Sequence, residues 1–170
     1  MYNIIAAVDE DNLIGCNNKL AYYIPDDLRR FRRLTMSVSD PYKLNAIVMG
    51  RKTWESLPGP LPGRMNCVIS NTINPSNAHH FVSFEDCINS LSNLTIIDKI
   101  FIIGGSQIYR TALDYDKVDK IYLTKIHKRA ECTCEPVYFP PIPESYKVVK
   151  SNEYSYFTFQ ILLKDVVLIE

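Results

Sequence analysis

The chain has 170 residues, of which 46% are hydrophobic and 22% charged, a composition typical of a soluble globular protein. Nineteen basic residues balance nineteen acidic ones, which excludes a bulk electrostatic attraction to nucleic acid or to an anionic membrane surface. No apolar run approaches the roughly 20 residues that a membrane-spanning helix needs. We therefore expect a single domain over residues 1–170, with no membrane partner and no specific nucleic-acid partner.

The five cysteines are scattered along the chain and odd in number, which does not suggest a disulfide framework. This cysteine usage, and a first strand that begins without a basic signal-peptide region, predict a cytoplasmic protein with reduced thiols. Cys132-Thr133-Cys134 lacks the spacing of a metal-binding cysteine pair, and the three histidines complete no ligand pattern with it. We expect no metal site.

The first predicted strand, residues 2–8, is followed by a long loop that reaches Tyr23. Within this loop the one apolar step is Leu13-Ile14-Gly15. A long loop without secondary structure inside a compact domain is usually functional. The loop is therefore expected to be functional.

A helix is predicted from Pro25 to about Met36, because proline suits the first helical turn and Asp26 and Asp27 suit the positive end of the helix dipole. At roughly 100° per residue, the apolar face carries Ile24, Asp27, Leu28, Phe31, Leu34 and Thr35. The opposite face carries Asp26, Arg29, Arg30, Arg32 and Arg33.

The position of Asp27 on the apolar face requires an explanation, since a carboxylate there is costly unless something satisfies it. One interpretation is a structural acid, bonded to a backbone N–H or to Arg30. The other is a ligand-binding or proton-handling carboxylate at the rim of a pocket. The helix alone does not decide between the two.

The remaining elements are predicted from apolar runs and from the glycines and prolines that interrupt them. Strands are expected at residues 46–49, 65–70, 100–103 and 120–126, helices at 51–57, 84–91 and 106–113, and a C-terminal hairpin at 146–150 and 156–163. Ser83 is expected to cap the helix at residue 84. The connecting segments 58–64, 71–80 and 131–144 are expected to be loops.

Short apolar strands that alternate with helices predict an α/β fold: a central, mostly parallel twisted sheet with an antiparallel C-terminal hairpin and helices on both faces. Ligands of such sheets bind beyond the carboxyl ends of the strands. Two of these ends, Gly50-Arg51-Lys52 and Gly104-Gly105-Ser106, are glycine-containing turns into a helix whose start is free to hold an anion. Neither matches G-x-G-x-x-G, and together they indicate a phosphate-rich ligand.

Five segments, in order and across essentially the whole chain, resemble the dihydrofolate reductase family. They are Ile5-Ala6-Ala7 with Ile14-Gly15, residues 25–31, residues 49–56, residues 61–66 and residues 103–109. Tyr122-Leu123-Thr124 and Tyr138-Phe139-Pro140 also fall at the family's spacing. The resemblance implies NADPH-dependent reduction of 7,8-dihydrofolate to tetrahydrofolate, in support of one-carbon metabolism and thymidylate synthesis. It also implies a monomer that binds dihydrofolate and antifolate-type molecules.

The resemblance assigns catalytic roles to Asp27, Tyr22 and Thr124. Asp27 would hold the pterin through N3 and the 2-amino group and support protonation at N5, and Thr124 would back it through a hydroxyl and a water. Arg64 would pair with the α-carboxylate of the glutamate tail. The other substrate-binding residues would be Ile5, Ala7, Leu28, Phe31, Leu57, Leu61 and Ile103.

The resemblance also assigns a cofactor site, with a cis peptide between Gly104 and Gly105. NADPH would be held by Ala7, Ile14, Gly15, Leu20, Gly50, Arg51, Lys52, Thr53, Ser70, Asn71, Gly104, Gly105, Ser106, Gln107, Ile108 and Tyr109. Arg51 and Lys52 open a helix at a strand end, so they favour a 2′-phosphate and thus NADPH over NADH. Gln107 stands where many relatives carry an arginine, so the expected preference is smaller than theirs.

The chain departs from the family pattern at Ala21-Tyr22, where relatives usually have a Pro-Trp pair. Tyr22 keeps a ring and a polar tip, so the departure concerns loop closure and turnover rather than the reaction. The apolar run 166–169 extends past the usual family end and would extend the last strand, cover an edge or touch a partner. Two alternative functions are a non-catalytic pterin- or nucleotide-binding module and a riboflavin-pathway pyrimidine reductase, whose tail-less substrate has no need of Arg64.

Overall fold

The computed structural model describes residues 1–17 and 19–165. The strands are β1 (Tyr2–Val8), β2 (Leu13–Cys16), β3 (Lys19–Leu20), β4 (Leu44–Gly50), β5 (Met65–Ile69), β6 (His79–Phe81), β7 (Ile97–Gly104), β8 (Val118–Ile126), β9 (Pro136–Tyr138), β10 (Tyr146–Glu153) and β11 (Phe157–Lys164). The helices are α1 (Pro25–Met36), α2 (Arg51–Ser56), α3 (Phe84–Ser92) and α4 (Ser106–Asp114). None of the helices in these ranges is long and apolar enough to cross a membrane.

The central sheet has eight strands in the order β10-β11-β8-β1-β7-β4-β5-β6. Neighbours from β8 to β6 run parallel, while β11 pairs antiparallel with both β8 and β10. This is the predicted mostly parallel sheet with an antiparallel C-terminal hairpin. Both parts of the prediction are confirmed.

The two faces of the sheet carry separate apolar clusters. Along β1, Ile4 belongs to one cluster and Ile5 to the other, as the two-residue period of a strand requires. α3 and α4 cover the first face, where Leu91 and Leu113 are buried. Phe31 of α1 and Trp54 of α2 pack over the second face. The prediction of helices on both faces is therefore confirmed.

The local helix predictions hold closely. α1 begins at Pro25 and ends at Met36, as the sequence indicated. Ser83 caps α3, and its side chain accepts a hydrogen bond from the backbone N–H of Asp86. These features depend on neighbouring residues alone, which is why the sequence predicts them well.

The predicted loops contain four short strands: β2 and β3 after β1, β6 at the end of segment 71–80, and β9 within segment 131–144. β2 and β3 lie in the loop after β1, and with β9 they form a second sheet in the order β3-β2-β9. The buried carboxylate of Asp9 accepts hydrogen bonds from the backbone N–H groups of Asp11 and Leu13, which turns the chain into β2. β6, expected to be loop, pairs with β5. The loop predictions for residues 9–23 and 131–144 were wrong in this respect, because the pairing of β2 with β9 joins segments far apart in the chain and leaves no local signal.

The prediction of reduced, unpaired cysteines was wrong for two of them. Cys16 on β2 and Cys132 form a disulfide, with their Cα atoms 5.8 Å apart across a sequence separation of 116. The pairing of Cys16 with Pro136 in the small sheet brings the two segments together, which residue spacing does not reveal. Cys67 and Cys87 are free and buried, and Cys134 is free and exposed. The apolar run 166–169 lies outside the described residues.

Candidate active site

The candidate site forms where the carboxyl ends of the parallel strands meet the start of α1. The register places Ala7 of β1 beside Thr124 of β8. It also places Met49 of β4 beside Gly104 of β7. Side chains that follow these strands therefore share one edge of the sheet, where ligands of α/β proteins bind.

Asp27 lies in the first turn of α1 and is half-buried. Thr124 Oγ1 donates a hydrogen bond of 2.6 Å to Asp27 Oδ1. Burial raises the pKa of the Asp27 carboxyl above its usual range, while the Thr124 hydrogen bond and then the charge of Arg30 act against the rise. The carboxylate is thus held by a hydroxyl from a neighbouring strand, and not by the backbone N–H considered from the sequence.

Arg30 is the main correction to the predicted helix faces. It was placed on the solvent face with its neighbours, but it is only 7% exposed. Its guanidinium donates to the backbone oxygens of Leu123 and Gln160, at 3.4 and 3.2 Å, and lies 4.4 Å from the centre of the Phe159 ring. Three residues after Asp27, the helical turn returns close to the same face, and the long stem reaches over the sheet. Arg29, Arg32 and Arg33 are exposed as predicted.

Most of the predicted substrate-binding residues are apolar, and they lie together. Five of them join one cluster on the α1 side of the sheet: Ile5, Phe31, Leu57, Leu61 and Ile103. All but Ile5 remain partly accessible, so they form a wall beside Asp27 rather than a closed core. Leu28 is 38% exposed at the rim, and Ala7 is half-buried at the end of β1.

Arg64 lies at the end of the stiff loop before β5 and is only 8% exposed. Its Nη1 donates to Thr35 Oγ1 at 2.9 Å and its Nε donates to the backbone oxygen of Pro62 at 3.0 Å. Asn66 braces the loop, because its side chain bonds both the N–H and the carbonyl of Leu61. Burial, followed by the nearby charge of Arg32, lowers the pKa of Arg64. Within residues 1–17 and 19–165, no carboxylate forms an ion pair with it.

Tyr22 contacts Asp9, which was not among the predicted site residues. Its hydroxyl donates a hydrogen bond of 3.1 Å to Asp9 Oδ2. Burial, then this bond, raises the pKa of Tyr22 to about 12. Burial would raise the pKa of Asp9, but backbone N–H donors led by Ala130 outweigh it and lower that pKa. Asp9 is the first polar residue after an apolar strand, which was the available signal for it.

The glycine turn after β7 contains the cis Gly104–Gly105 peptide that the family resemblance implies. Gly104 has φ of +130°, and a Cβ there would lie 3.3 Å from Thr53 Oγ1 and 3.4 Å from the Tyr109 hydroxyl. Tyr109 is buried, and its hydroxyl donates to the Ile5 carbonyl at 2.8 Å. The turn therefore presents bare backbone at the carboxyl ends of the strands, and a side chain at Gly104 would be both strained by the positive φ and crowded.

The turn after β4 is arranged similarly, and its charged residues face solvent. A Cβ on Gly50 would lie 3.2 Å from Ile108 Cγ1, so a side chain there would press on α4. Neither α2 nor α4 has a side-chain cap, which leaves the first backbone N–H groups available to an anion. Ser70 Oγ accepts from the N–H groups of Thr72 and Ile73 and shapes the adjacent turn.

Arg51, at the start of α2, donates hydrogen bonds to two side chains. Its Nε donates to Glu55 Oε1 at 2.8 Å, and its Nη1 donates to Thr72 Oγ1 at 3.1 Å. Glu55 and Thr72 were missed from the sequence, although the four-residue spacing from Arg51 to Glu55 on a helix was a usable signal. Lys52, Asn71 and Gln107 are exposed and lie near these turns along the chain.

Ile14, Gly15 and Leu20, the loop residues predicted to bind the cofactor, lie in three different surroundings. Ile14 packs against the cluster on the α3 and α4 side of the sheet, and Gly15 pairs with Leu20 in the small sheet. Leu20 is 69% exposed. The roles proposed for these residues stay predictions.

A mostly parallel sheet has helices on both faces, and a half-buried acid and two bare glycine turns lie at the carboxyl ends of its strands. These features define an α/β protein whose ligands bind beyond the carboxyl ends of the strands. The model of the family described as dihydrofolate reductase matches residues 1–161, and the chain belongs to that family. The family resemblance drawn from the sequence is therefore confirmed.

Curated relatives include proteins with and without a second activity. The chain is 36% identical to "Dihydrofolate reductase" of Drosophila melanogaster over 155 residues, which cover 87% of this chain and 84% of that protein. For "Dihydrofolate reductase" of Heliothis virescens the identity is 34%, covering 82% and 79%. For "Bifunctional dihydrofolate reductase-thymidylate synthase" of Daucus carota it is 37%, covering 85% of this chain and 29% of that protein. The chain thus spans only about a third of the bifunctional relatives.

Proposed function

We propose that this protein reduces 7,8-dihydrofolate to 5,6,7,8-tetrahydrofolate with NADPH, through hydride transfer to pterin C6 and protonation at N5. The observation that carries the proposal is Asp27, a half-buried carboxylate at the carboxyl ends of a mostly parallel sheet, which accepts a hydrogen bond of 2.6 Å from Thr124. The printed names of the insect relatives agree with it.

Asp27 would bind the pyrimidine edge of the pterin. An ionised carboxylate only accepts hydrogen bonds, so it matches the N3 and 2-amino donors of that edge. Its negative charge also favours the positive character that the ring gains as hydride arrives. Because burial raises the pKa of Asp27, the carboxyl titrates closer to neutral pH, which suits a group that supports protonation at N5.

The apolar wall beside Asp27 would hold the flat ring and exclude water. Phe31, Leu57, Leu61 and Ile103 are partly accessible and belong to one cluster. A planar heterocycle needs such an apolar slot with a few polar groups that fix its orientation. A planar antifolate with the same donor edge would bind Asp27 in the same way.

Arg64 would bind the glutamate tail of the substrate. It is a buried cation bonded only to neutral oxygens, those of Thr35 and Pro62, among the described residues. A carboxylate ligand would supply the missing opposite charge and accept a charge-assisted hydrogen bond. This feature favours a tailed folate over the tail-less pyrimidine of a riboflavin-pathway reductase.

The residues of the two glycine turns fit a dinucleotide phosphate ligand. A side chain at Gly50 or Gly104 would fill space close to Ile108 or Thr53, and the uncapped starts of α2 and α4 offer N–H donors. When bound, NADPH supplies the hydride. Arg51 and Lys52 would favour its 2′-phosphate, while Glu55 partly neutralises Arg51, so the preference over NADH is expected to be modest.

The proposal is tested by following NADPH oxidation by absorbance with dihydrofolate, with a tail-less dihydropterin and with the riboflavin-pathway pyrimidine. We expect rapid NADPH oxidation with dihydrofolate. The tail-less pterin should be reduced by NADPH only with a higher KM, and the pyrimidine should cause no NADPH oxidation. Asp27→Asn, which keeps the shape of the side chain, is the control for a contaminating activity. Binding of dihydrofolate without oxidation would instead support a non-catalytic binding module, and turnover of the pyrimidine would overturn the substrate assignment.

A further inference from the structure

Arg30 is a buried charge that the proposed mechanism does not yet use. Its Nη1 lies 3.4 Å from Thr124 Oγ1, and that hydroxyl lies 2.6 Å from Asp27 Oδ1. Thr124 therefore stands between a guanidinium and a carboxylate. The three side chains form a short polar row, in which Arg30 and Asp27 come from α1 and Thr124 comes from β8.

The direction of the hydrogen bonds along this row follows from the chemistry of its ends. A guanidinium has donors and no acceptor, so the Thr124 oxygen can only accept from Arg30. The single hydroxyl proton of Thr124 is then left to point at Asp27. This arrangement suits an ionised carboxylate, because a protonated acid would have its own proton to donate.

The surroundings of Arg30 keep its charge close to this row. The guanidinium is fixed by the backbone oxygens of Leu123 and Gln160 and by the face of the Phe159 ring. Burial lowers the pKa of Arg30, and the charge of Asp27 opposes that change. Of the weaker influences, Arg33 lowers this pKa, while Tyr122 and Tyr154 raise it. From α4, buried Tyr109 also lies within reach of the charge of Asp27, but its hydroxyl is bonded to Ile5. In water-poor surroundings a fixed positive charge acts over a longer distance than it would at the surface.

We propose that Arg30 is a positioning residue of the site: it orients the Thr124 hydroxyl toward Asp27 and stabilises the ionised Asp27 carboxylate that receives the substrate. This inference rests on the proposed function, since it assigns a role within the same site. Arg30 touches no reacting group and acts only through Thr124 and its charge.

The experiment measures the titration of the Asp27 side-chain carboxyl by ¹³C NMR in the ligand-free protein, with Asp27→Asn to assign the signal. Arg30→Gln removes the charge and keeps polar contacts, and we expect it to move the titration midpoint up by about one pH unit. Arg30→Lys keeps the charge and should move it by less than half as much. Arg33→Gln removes an exposed charge from the same helix and should leave the midpoint unchanged within about 0.3 pH unit.

A second measurement needs no substitution, in case Arg30→Gln does not fold. In the unmodified protein, the ¹⁵N signals of the Arg30 guanidinium should shift with the same midpoint as the Asp27 carboxyl, and those of Arg33 should not. Equal Asp27 midpoints in folded Arg30→Gln and wild-type protein would overturn the proposal, as would Arg30 signals that ignore the Asp27 titration. The readout is independent of turnover, so a protein that shows the coupling but reduces no dihydrofolate would contradict the proposed function alone.

Discussion

Charged residues differ in exposure between the proposed substrate side of the candidate site, around Asp27, Arg30 and Arg64, and its proposed nucleotide side, around Arg51 and Glu55. On the substrate side, Arg30 and Arg64 are 7% and 8% exposed, and Asp27 is half-buried. On the nucleotide side, the side chains of Arg51 and Glu55 are 47% and 50% exposed. Charges in water-poor surroundings perturb pKa values and stability, while exposed charges are screened. Substitutions on the substrate side should therefore change chemistry, pH dependence and stability together, and those on the nucleotide side should change affinity alone.

The largest effect is expected from Asp27→Asn on turnover. The amide keeps the shape but loses the charge that faces the pyrimidine edge, so kcat with dihydrofolate should fall by about two to three orders of magnitude. Lowering the pH should restore part of the activity, because solvent can then supply the proton. Unchanged dihydrofolate binding would show that the loss lies in the chemical step. Near-normal turnover of Asp27→Asn at neutral pH would remove Asp27 from the mechanism.

The next effect is expected from Arg64→Leu on substrate affinity. Loss of a buried, charge-assisted contact to the tail should weaken folate binding by about 2–4 kcal/mol, as measured by calorimetry. A tail-less pterin should bind almost as before. Arg32→Leu is the matched control, since it removes an exposed charge whose field reaches Arg64. Similar losses for both ligands would show that Arg64 has a structural role and does not bind the tail.

A third effect is expected from Asp27→Asn on stability. The pKa of Asp27 is raised in the folded protein, so the folded state binds its proton more tightly than the unfolded chain does. Wild-type stability from this group is therefore full below the unfolded pKa and falls as the pH rises to the folded one. Asp27→Asn has no carboxyl to titrate and does not lose stability in this way. Its free energy of unfolding relative to wild type should therefore rise by about 1.4 kcal/mol for each pH unit between the unfolded and the folded pKa.

Urea unfolding at mildly acidic and at neutral pH measures this stability difference directly. Thr124→Ser, which keeps the hydroxyl that bonds Asp27, should show no such pH-dependent gain. A stability difference between Asp27→Asn and wild type that stays constant with pH would mean that Asp27 is no more perturbed than an exposed acid.

The smallest effects are expected on the nucleotide side, from Arg51→Ala and Glu55→Gln. If the Arg51 charge helps to hold a 2′-phosphate, Arg51→Ala should raise KM for NADPH and leave NADH nearly unchanged. Glu55→Gln frees Arg51 from its ion pair, so it should lower KM for NADPH. Each change should amount to about 0.2–1 kcal/mol and should shrink at high salt. Equal effects on both cofactors would place the phosphate elsewhere.

The sequence predicts best what depends on neighbouring residues. The limits of α1, the Ser83 cap and the two glycine turns follow from local chemistry, and so does the presence of Asp27 beside apolar residues. Arg30 was misplaced because helical periodicity assigns a face to the Cα atom and ignores where a long stem ends. The Thr124 bond to Asp27 was reached only through the family resemblance, since a separation of 97 residues has no local signature.

The four strands that the sequence missed are two to four residues long, and two of them, β2 and β9, pair with each other across most of the chain. β2 pairs with β9 and β3 with β2, while the three-residue β6 pairs with β5 and is too short to leave a clear apolar pattern. The disulfide follows from the same pairing, which brings Cys16 and Cys132 together. An odd number of scattered cysteines does not indicate this bond, and only the folded arrangement shows which two sulfurs meet.

The Cys16–Cys132 disulfide also changes what a single proteolytic cut does to this molecule. The bond closes residues 16–132 into a covalent ring that contains β4, β5, β7 and β8. A nick in the mostly exposed segment 71–77 would open that ring without separating the two fragments, so the product would migrate as one species without reductant and as two with it. Because the fragments remain tethered, their effective concentration stays high, and the strands on either side of the nick can keep their places in one sheet.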